Sequence, residues 1–273
     1  MKRFLIALIL LSGAACAVSA QQKSEPRLVA HRGGRFEMDE NTLPAFRTAL
    51  EAGITGYELD IHTTVDGKYV IMHDFDVSRT VNAEGTLENM KLSHIRALRT
   101  KKGNRIPTLS EVLELFGKYD GLYVEFEMKT TREDLYPEDV LARYAEDVYK
   151  AVSSACPEGS TYIFSSFDTR VLKYIKQHHP DAEVMYITSK GCLPETRAIA
   201  EEIGTKRMAC HRQRTTQAEM EKAHKEGFVI NLWPNETPAD VNLSEALGAD
   251  YICTDIPREI CTLIDAGKFG IKK

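Results

Sequence analysis

"YELDIHTTVDGKYVIMHD", residues 57–74, decides the fold. Tyr57, Leu59 and Ile61 alternate with Glu58, Asp60 and His62, the period of a strand with two unlike faces. One face of an otherwise apolar strand therefore carries two carboxylates side by side. Asp66-Gly67 then marks a two-residue hairpin turn. No helix fits between strands joined that way, so residues 69–74 are expected to return antiparallel to 56–61. That pairing sets Val65 opposite Lys68, Thr63 opposite Val70 and Asp60 opposite His73. Opposite residues have Cβ atoms about 4.5–5.5 Å apart, so the hairpin brings an imidazole back to the acids.

Outward from this hairpin, strand patterns recur at 27–32, 122–129, 161–166, 183–188, 206–211, 228–233 and 250–255. Helical patterns lie between most of them. Residues 41–53 open with Asn41 as a cap and stop at Gly53, and 137–156 carry Pro137 in the first turn. Segments 167–179, 193–204, 215–227 and 237–248 read likewise. With the 69–74 arm set above the rim, eight βα units remain. The expected fold is an α/β, (β/α)8 barrel with a β-hairpin extension after strand 2. An insertion at about 75–121 holds one clear helix near "TLSEVLELFGK".

The chain has 273 residues, 43% hydrophobic and 27% charged, with a formal charge of −5. Those are globular proportions, and they carry no basic nucleic-acid footprint. No GxGxxG or GxxxxGK[ST] phosphate loop is present, so nucleotide binding has no support. Residues 1–20 read as a signal peptide: Lys2-Arg3, an apolar run from Phe4 to Leu11, then "AVSA" with cleavage expected after Ala20. The run is too short to cross a bilayer. Residues 21–273 are expected to form one domain, secreted and periplasmic. Anchoring through a lipidated Cys16 is second choice, because Gly13 stands where a leucine-like residue is wanted. Cys156, Cys192, Cys210, Cys253 and Cys261 contain no CxxC pair and are odd in number. They read as small buried hydrophobes, with at least one free thiol, rather than a disulfide framework or a thiolate metal site.

In a parallel barrel, functional groups gather at the C-terminal strand ends. Strand 1 ends in His31-Arg32-Gly33-Gly34, strand 2 in Glu58 and Asp60, the hairpin arm in His73, and strand 122–129 in Glu127-Met128-Lys129. Any one of these acids alone is more often the structural partner of a cation. Together, Glu58, Asp60 and Glu127 converge. Two like charges 4 Å apart repel by about 4 kcal/mol at an effective dielectric of 20, so the trio calls for a cation or for raised pKa values. The cations at hand are Arg32, Lys129 and a metal. All-oxygen ligation suits one divalent ion, Ca²⁺ or Mg²⁺, over Zn²⁺. Glu125 shares the polar face one layer deeper, as a supporting group or a rival ligand. His31 and His73 flank the acids and suit general acid–base work near neutral pH. His62, His94, His178, His179, His211 and His224 read as ordinary histidines, with His62 on the acid face and His211 at a strand end. The glycines after Arg32 permit close backbone approach to a ligand.

Taken together, HRGG, ENTLPAF, YELDIHTTVDGKYVIMHD, IPTL, VEFEMK, SSF, LWPN and GADYICTD resemble the glycerophosphodiester phosphodiesterase family over about residues 28–257. The resemblance implies a TIM barrel that cuts glycerophosphodiesters to glycerol 3-phosphate and an alcohol with a divalent ion. It implies metal ligation by Glu58, Asp60 and Glu127, acid–base roles for His31 and His73, phosphate contacts from Arg32 and Lys129, and an aromatic contact from Trp233. The substrate's own glycerol hydroxyl would attack first, giving a cyclic phosphate that water opens. Asp39 stands where the family usually has proline, and Pro234 follows Trp233; both positions bear on alcohol preference. Two other readings are a phospholipase acting on intact phospholipid or phosphoinositide, and a secreted, non-catalytic glycerophosphodiester-binding protein. The complete set of acids, histidines and lysine favours the enzyme.

Overall fold

A computed structural model describes residues 25–273; the signal-peptide reading falls on residues outside that range. The strands are β1 (Arg27–His31), β2 (Gly56–Thr63), β3 (Tyr69–Ile71), β4 (Tyr123–Met128), β5 (Thr161–Ser166), β6 (Val184–Thr188), β7 (Arg207–His211), β8 (Val229–Asn235) and β9 (Tyr251–Thr254). The helices are α1 (Leu43–Glu51), α2 (Leu92–Ala97), α3 (Leu109–Phe116), α4 (Glu138–Ser154), α5 (Thr169–His178), α6 (Pro194–Ile203), α7 (Gln217–Lys225), α8 (Pro238–Leu247) and α9 (Pro257–Asp265). The sheet runs β1-β9-β8-β7-β6-β5-β4-β2, closed by β1–β2 pairing that sets His31 beside Glu58. All these pairings are parallel. Only β3 is antiparallel, and it lies outside the closed barrel on β2. The eightfold barrel expected from the sequence is the fold.

Two-faced strands separate core from chemistry. Tyr57, Leu59 and Ile61 of β2, with Val124, Phe126 and Met128 of β4, pack outward into the main core beneath the helices. Their neighbours point into the barrel. There Val29, Ile163, Met185, Ile187, Ala209 and Cys253 form an apolar plug with Tyr123, whose ring stacks on Tyr251 at 4.1 Å. The plug closes one end, so the mouth at the C-terminal strand ends is a blind pocket.

Helix α1 is capped by Thr42, not by Asn41 as the sequence suggested. Thr42 Oγ1 accepts from the Ala45 N–H at 3.3 Å, a contact of about 1 kcal/mol. Asn41 instead takes a left-handed φ of 56° and turns into the barrel. Gly33 and Gly34 also have positive φ, but packing rather than ligand approach demands them. A Cβ on Gly33 would lie 2.9 Å from Ala45 Cβ, and one on Gly34 2.9 Å from Pro257 Cγ.

The hairpin departs from the expected register by one residue: Ile61 faces Ile71, His62 faces Val70 and Thr63 faces Tyr69. The turn holds three residues. Gly67 N–H donates to Thr64 O at 3.0 Å and Thr64 N–H to Lys68 O at 2.8 Å, with Gly67 at φ 65°. This is a tight turn followed by a glycine bulge, the three-residue alternative for such sequences. Asp60 therefore stands opposite Met72, whose N–H reaches Asp60 O at 3.1 Å. A slip of one residue on a continuing strand would turn His73 away, but β3 ends at Ile71. The chain beyond it re-aims the imidazole at the mouth.

After the hairpin the chain makes a small lobe with its own core of Val70, Met72, Val77, Val81, Leu87, Met90, Ile95 and Ile106. It contains α2 and two short 3-10 turns before α3, the helix expected near 108–118. The five cysteines after residue 25 are free thiols, four of them buried.

Candidate active site

Glu58, Asp60 and Glu127 each present one carboxylate oxygen to a common point, all within 4.8 Å of one another and all three residues buried. Parallel pairing of β2 with β4 sets Asp60 beside Glu127, which is why the two strand ends share the cluster. Glu58 Oε1 is buried without a hydrogen-bond partner, and Asp60 Oδ1 has no hydrogen bond beyond the Lys129 ammonium 3.3 Å away, whereas buried polar atoms are normally satisfied. Burial, then Asp60 and Glu127, hold the Glu58 carboxyl well above its usual range. For Asp60, burial acts in the same direction, but Lys129, His73, Arg32 and the Asn41 amide outweigh it and keep the carboxyl ionised. The oxygens, their orphaned lone pairs and their mutual repulsion fit a hard divalent cation.

The cations fall where the strand ends suggest. Lys129 Nζ donates to Glu127 Oε1 at 2.7 Å and lies 3.3 Å from Asp60 Oδ1. Burial would lower its pKa, but Glu127 and Asp60 raise it to about 12. Arg32, at φ 53°, turns its N–H onto Glu58 Oε2 at 3.1 Å and its Nε to within 3.4 Å of Asp60 Oδ2.

Each histidine is gripped at Nδ1. His31 meets Asp255 Oδ1 at 2.5 Å, and its Nε2 stands 3.8 Å from Glu58 Oε2. Burial, then Arg32, lower the His31 pKa against the raising effect of Asp255. His73 Nδ1 meets Asp74 Oδ1 at 2.6 Å. His73, His31, Arg32, Glu58 and Glu127 line one cleft with about 150 Å³ of room, together with Phe167, Ile187, Ala209, Trp233 and Cys253. One wall is thus charged and the other apolar. Trp233 meets Phe167 edge-to-face at 5.7 Å, and its buried Nε1 has no partner. Glu125 forms part of the floor, its oxygens held by Tyr123 Oη at 2.7 Å and Asn231 Nδ2 at 2.8 and 2.9 Å. It stands apart from the converging trio. Burial lifts its pKa to about 7.

Several supporting residues escaped the sequence reading. Asn41 Nδ2 donates to Asp60 Oδ2 at 2.8 Å. Arg79, in the lobe, bonds Asp74 and grips Glu40 at 2.6 and 2.8 Å, and Glu40 accepts from Arg32 Nη1 at 3.0 Å. A chain of ion pairs therefore joins His73 to Arg32. His62, read as ordinary, is fully buried: its Nδ1 meets Glu88 Oε1 at 2.5 Å and its Nε2 the carbonyl of His73 at 3.1 Å. Asp39 binds Thr100 and, at 2.8 Å, Asn104 Nδ2, tying the lobe to the β1–α1 loop. The signal for Asp255 in the sequence is the acid of the strand-end "TD", residues 254–255.

A closed parallel barrel with an acidic cluster, two histidines and two cations at its mouth has the groups that a hydrolase of phosphate esters needs. Comparison with known proteins narrows the class. The model of the glycerophosphoryl diester phosphodiesterase family matches residues 31–259. A glycerophosphodiester phosphodiesterase of Caldanaerobacter subterraneus is 32% identical over 247 residues, covering 88% of this chain and 98% of that one. One of Bacillus subtilis is 31% identical over 227 residues, covering 74% and 75%. Among solved structures, a phosphodiesterase from Silicibacter pomeroyi superposes with a TM-score of 0.80 at 25% identity, covering 91% and 95%. One from Oleispira antarctica, in complex with the product sn-glycerol-3-phosphate, has the same fold, with a TM-score of 0.79 at 23% identity covering 88% and 97%. The chain belongs to the glycerophosphoryl diester phosphodiesterase family, and it is an enzyme of that activity.

Proposed function

We propose that the protein hydrolyses small glycerophosphodiesters to glycerol 3-phosphate and an alcohol with one divalent ion, Ca²⁺ or Mg²⁺, held by Glu58, Asp60 and Glu127. The observation that carries this reading is the convergence of three carboxylate oxygens within 4.8 Å in the cleft that both histidines line. Held by these three carboxylates, such an ion would supply charge neutralisation at the phosphoryl oxygens. Arg32 and Lys129 stand beside the same oxygens and orient the phosphate. His31 and His73 line the same cleft, one taking the proton of the attacking hydroxyl and the other giving a proton to the leaving alkoxide. Asp255 and Asp74 bind each Nδ1 and so fix Nε2 toward the cleft. The attacking group is the substrate's glycerol hydroxyl, followed by water on the cyclic phosphate. Trp233 and Phe167 form the wall for the glycerol or the alcohol. The small cleft favours a deacylated substrate over an intact lipid. We extend the proposal to export: residues 1–20 act as the leader, and the enzyme works in the periplasm.

Rates on a panel of glycerophosphodiesters, each with EDTA, Ca²⁺ and Mg²⁺, test the reading. Turnover abolished by EDTA and restored by either ion is the expected result. Undiminished turnover in EDTA would overturn the metal role, and binding without release of glycerol 3-phosphate would overturn the reaction.

A further inference from the structure

The lobe after the hairpin presents a face that the reaction does not use. Residues 89–110 contain Lys91, Arg96, Arg99, Lys101, Lys102 and Arg105 and no acid, in a chain of formal charge −5. The fold segregates them. Ile95 and Ile106 are buried in the lobe core, with Leu92 and Leu98 packed against it, while Lys91, Arg99, Lys101, Lys102 and Arg105 are exposed. Of the six, Arg96 alone pairs with an acid among the described residues, Glu111 at 2.7 Å. Lys101 and Lys102 sit on a tight turn, closed by Thr100 N–H to Asn104 O at 2.9 Å and Gly103 N–H to Thr100 O at 2.8 Å, and pinned by Asp39. Arg96, Asn104 and Arg105 also meet Arg47 of α1 around a surface cleft of about 240 Å³.

We propose that this basic face docks the enzyme on anionic phospholipid surfaces. At physiological salt, charge is screened beyond about 8 Å, so a surface in contact feels these cations rather than the acidic whole. Glu111 also lines the cleft and takes up Arg96, which leaves the exposed Arg47 and Arg105 to seat a lipid phosphate. One exposed apolar side chain adjoins the cations: Val65, 58% exposed at the hairpin tip. The Val65 N–H bonds the carbonyl of Met90 at 3.0 Å, next to Lys91. Cations joined to apolar side chains are the composition of a surface that lies on a bilayer. A soluble polyanion would engage the cations and leave Val65 without a partner, which favours the membrane. Thr80, Thr100 and Ile106 of the lobe share a small cavity with His73, so docking holds the mouth close to the lipid. Phospholipid deacylation, the class of reaction that yields glycerophosphodiesters, takes place there.

Flotation of the purified protein with vesicles tests this, using phosphatidylcholine alone or with about one third phosphatidylglycerol at low and high salt. The wild type floats with the anionic vesicles at low salt and is released at least tenfold at high salt. The triple variant Lys101→Glu, Lys102→Glu, Arg105→Glu floats at least tenfold less, while its turnover of soluble glycerophosphocholine matches the wild type and certifies its fold. Equal flotation of variant and wild type overturns the proposal, as does failure of the wild type to bind anionic vesicles. Retention on heparin without vesicle binding marks a polyanion surface and likewise rejects the membrane. Because turnover is read on a soluble substrate, either result stands apart from the fate of the catalytic reading.

Discussion

His31 Nδ1 lies 2.5 Å from Asp255 Oδ1, a contact between the ends of the first and last barrel strands that spans 224 positions of sequence. Barrel closure makes it possible, since β1 pairs directly with β9. The carboxylate accepts from Nδ1 and leaves Nε2 turned to the cleft, so in the proposed reaction Nε2 would be the nitrogen that moves the proton. Asp255→Asn is expected to lower kcat by about 10²-fold with KM changed only severalfold, and His31→Ala and His73→Ala to lower it by about 10²–10⁴-fold. Steady-state kinetics on a soluble glycerophosphodiester check this. Wild-type kcat in Asp255→Asn removes the orienting role, and wild-type turnover in either alanine variant removes that histidine from the chemistry.

Glu58→Gln separates stability from function. Burial and two neighbouring carboxylates work against the Glu58 charge, so the neutral amide relieves repulsion when no metal is bound. The variant is expected to melt at or above the wild-type temperature in EDTA. It should lose both activity and the upward shift in melting temperature expected of the wild type with Ca²⁺ or Mg²⁺, a shift equivalent to about 2.7 kcal/mol at an ion concentration 100 times Kd. Calorimetry with and without ions is the measurement. A variant clearly less stable than wild type in EDTA contradicts the account of the acidic trio.

Asn41 supplies a third test. It donates to Asp60 at 2.8 Å from a left-handed backbone position. Groups that orient a metal ligand are worth about 10–100-fold in affinity. Asn41→Gly keeps the backbone freedom and removes only the amide, so metal affinity is expected to fall by about that range while the fold persists. Calorimetric titration with the preferred ion reads it, and unchanged affinity dismisses Asn41 as a ligand-orienting group.

What the sequence disclosed follows from range. Alternation along β2 and β4 is local, so the inward acids Glu58, Asp60 and Glu127 and the outward Leu59 and Phe126 could be read residue by residue. The βα repeat is also local, and it yielded the barrel. Turn geometry was harder, because Asp66-Gly67 serves two- and three-residue loops alike, and choosing between them moved the register by one. The cap of α1 failed for a similar reason: Asn41 and Thr42 are both good caps, and the demand of Asp60 for a donor decided which one was left to cap. Asp255 with His31 pairs across the β1–β9 seam, and Arg79 with Glu40 and Glu88 with His62 pair between the lobe and the barrel. No spacing rule reaches those partners, although each has the right chemistry once the fold is known.

The Asp74–Arg79 pair provides a pH test away from the acidic trio. Burial would raise the Asp74 carboxyl, but hydrogen bonds from His73 and Arg79 bring it down to about 2. A depressed carboxyl stabilises the fold above its unfolded pKa, near 3.9. That contribution is complete above about pH 5 and is lost as pH falls toward 2. The Asp74 side chain is 26% exposed and that of Arg79 47%, so solvent screening cuts the contribution to about 1 kcal/mol. Asp74→Asn should therefore be less stable than wild type by about that amount at pH 6, and the difference should shrink steadily as pH drops from about 5 to 3. Urea unfolding of both proteins across that interval measures it. A gap that stays constant or widens on acidification would show that Asp74 is not held as the ionised partner of Arg79, and the ion-pair chain from His73 to Arg32 would lose its first link.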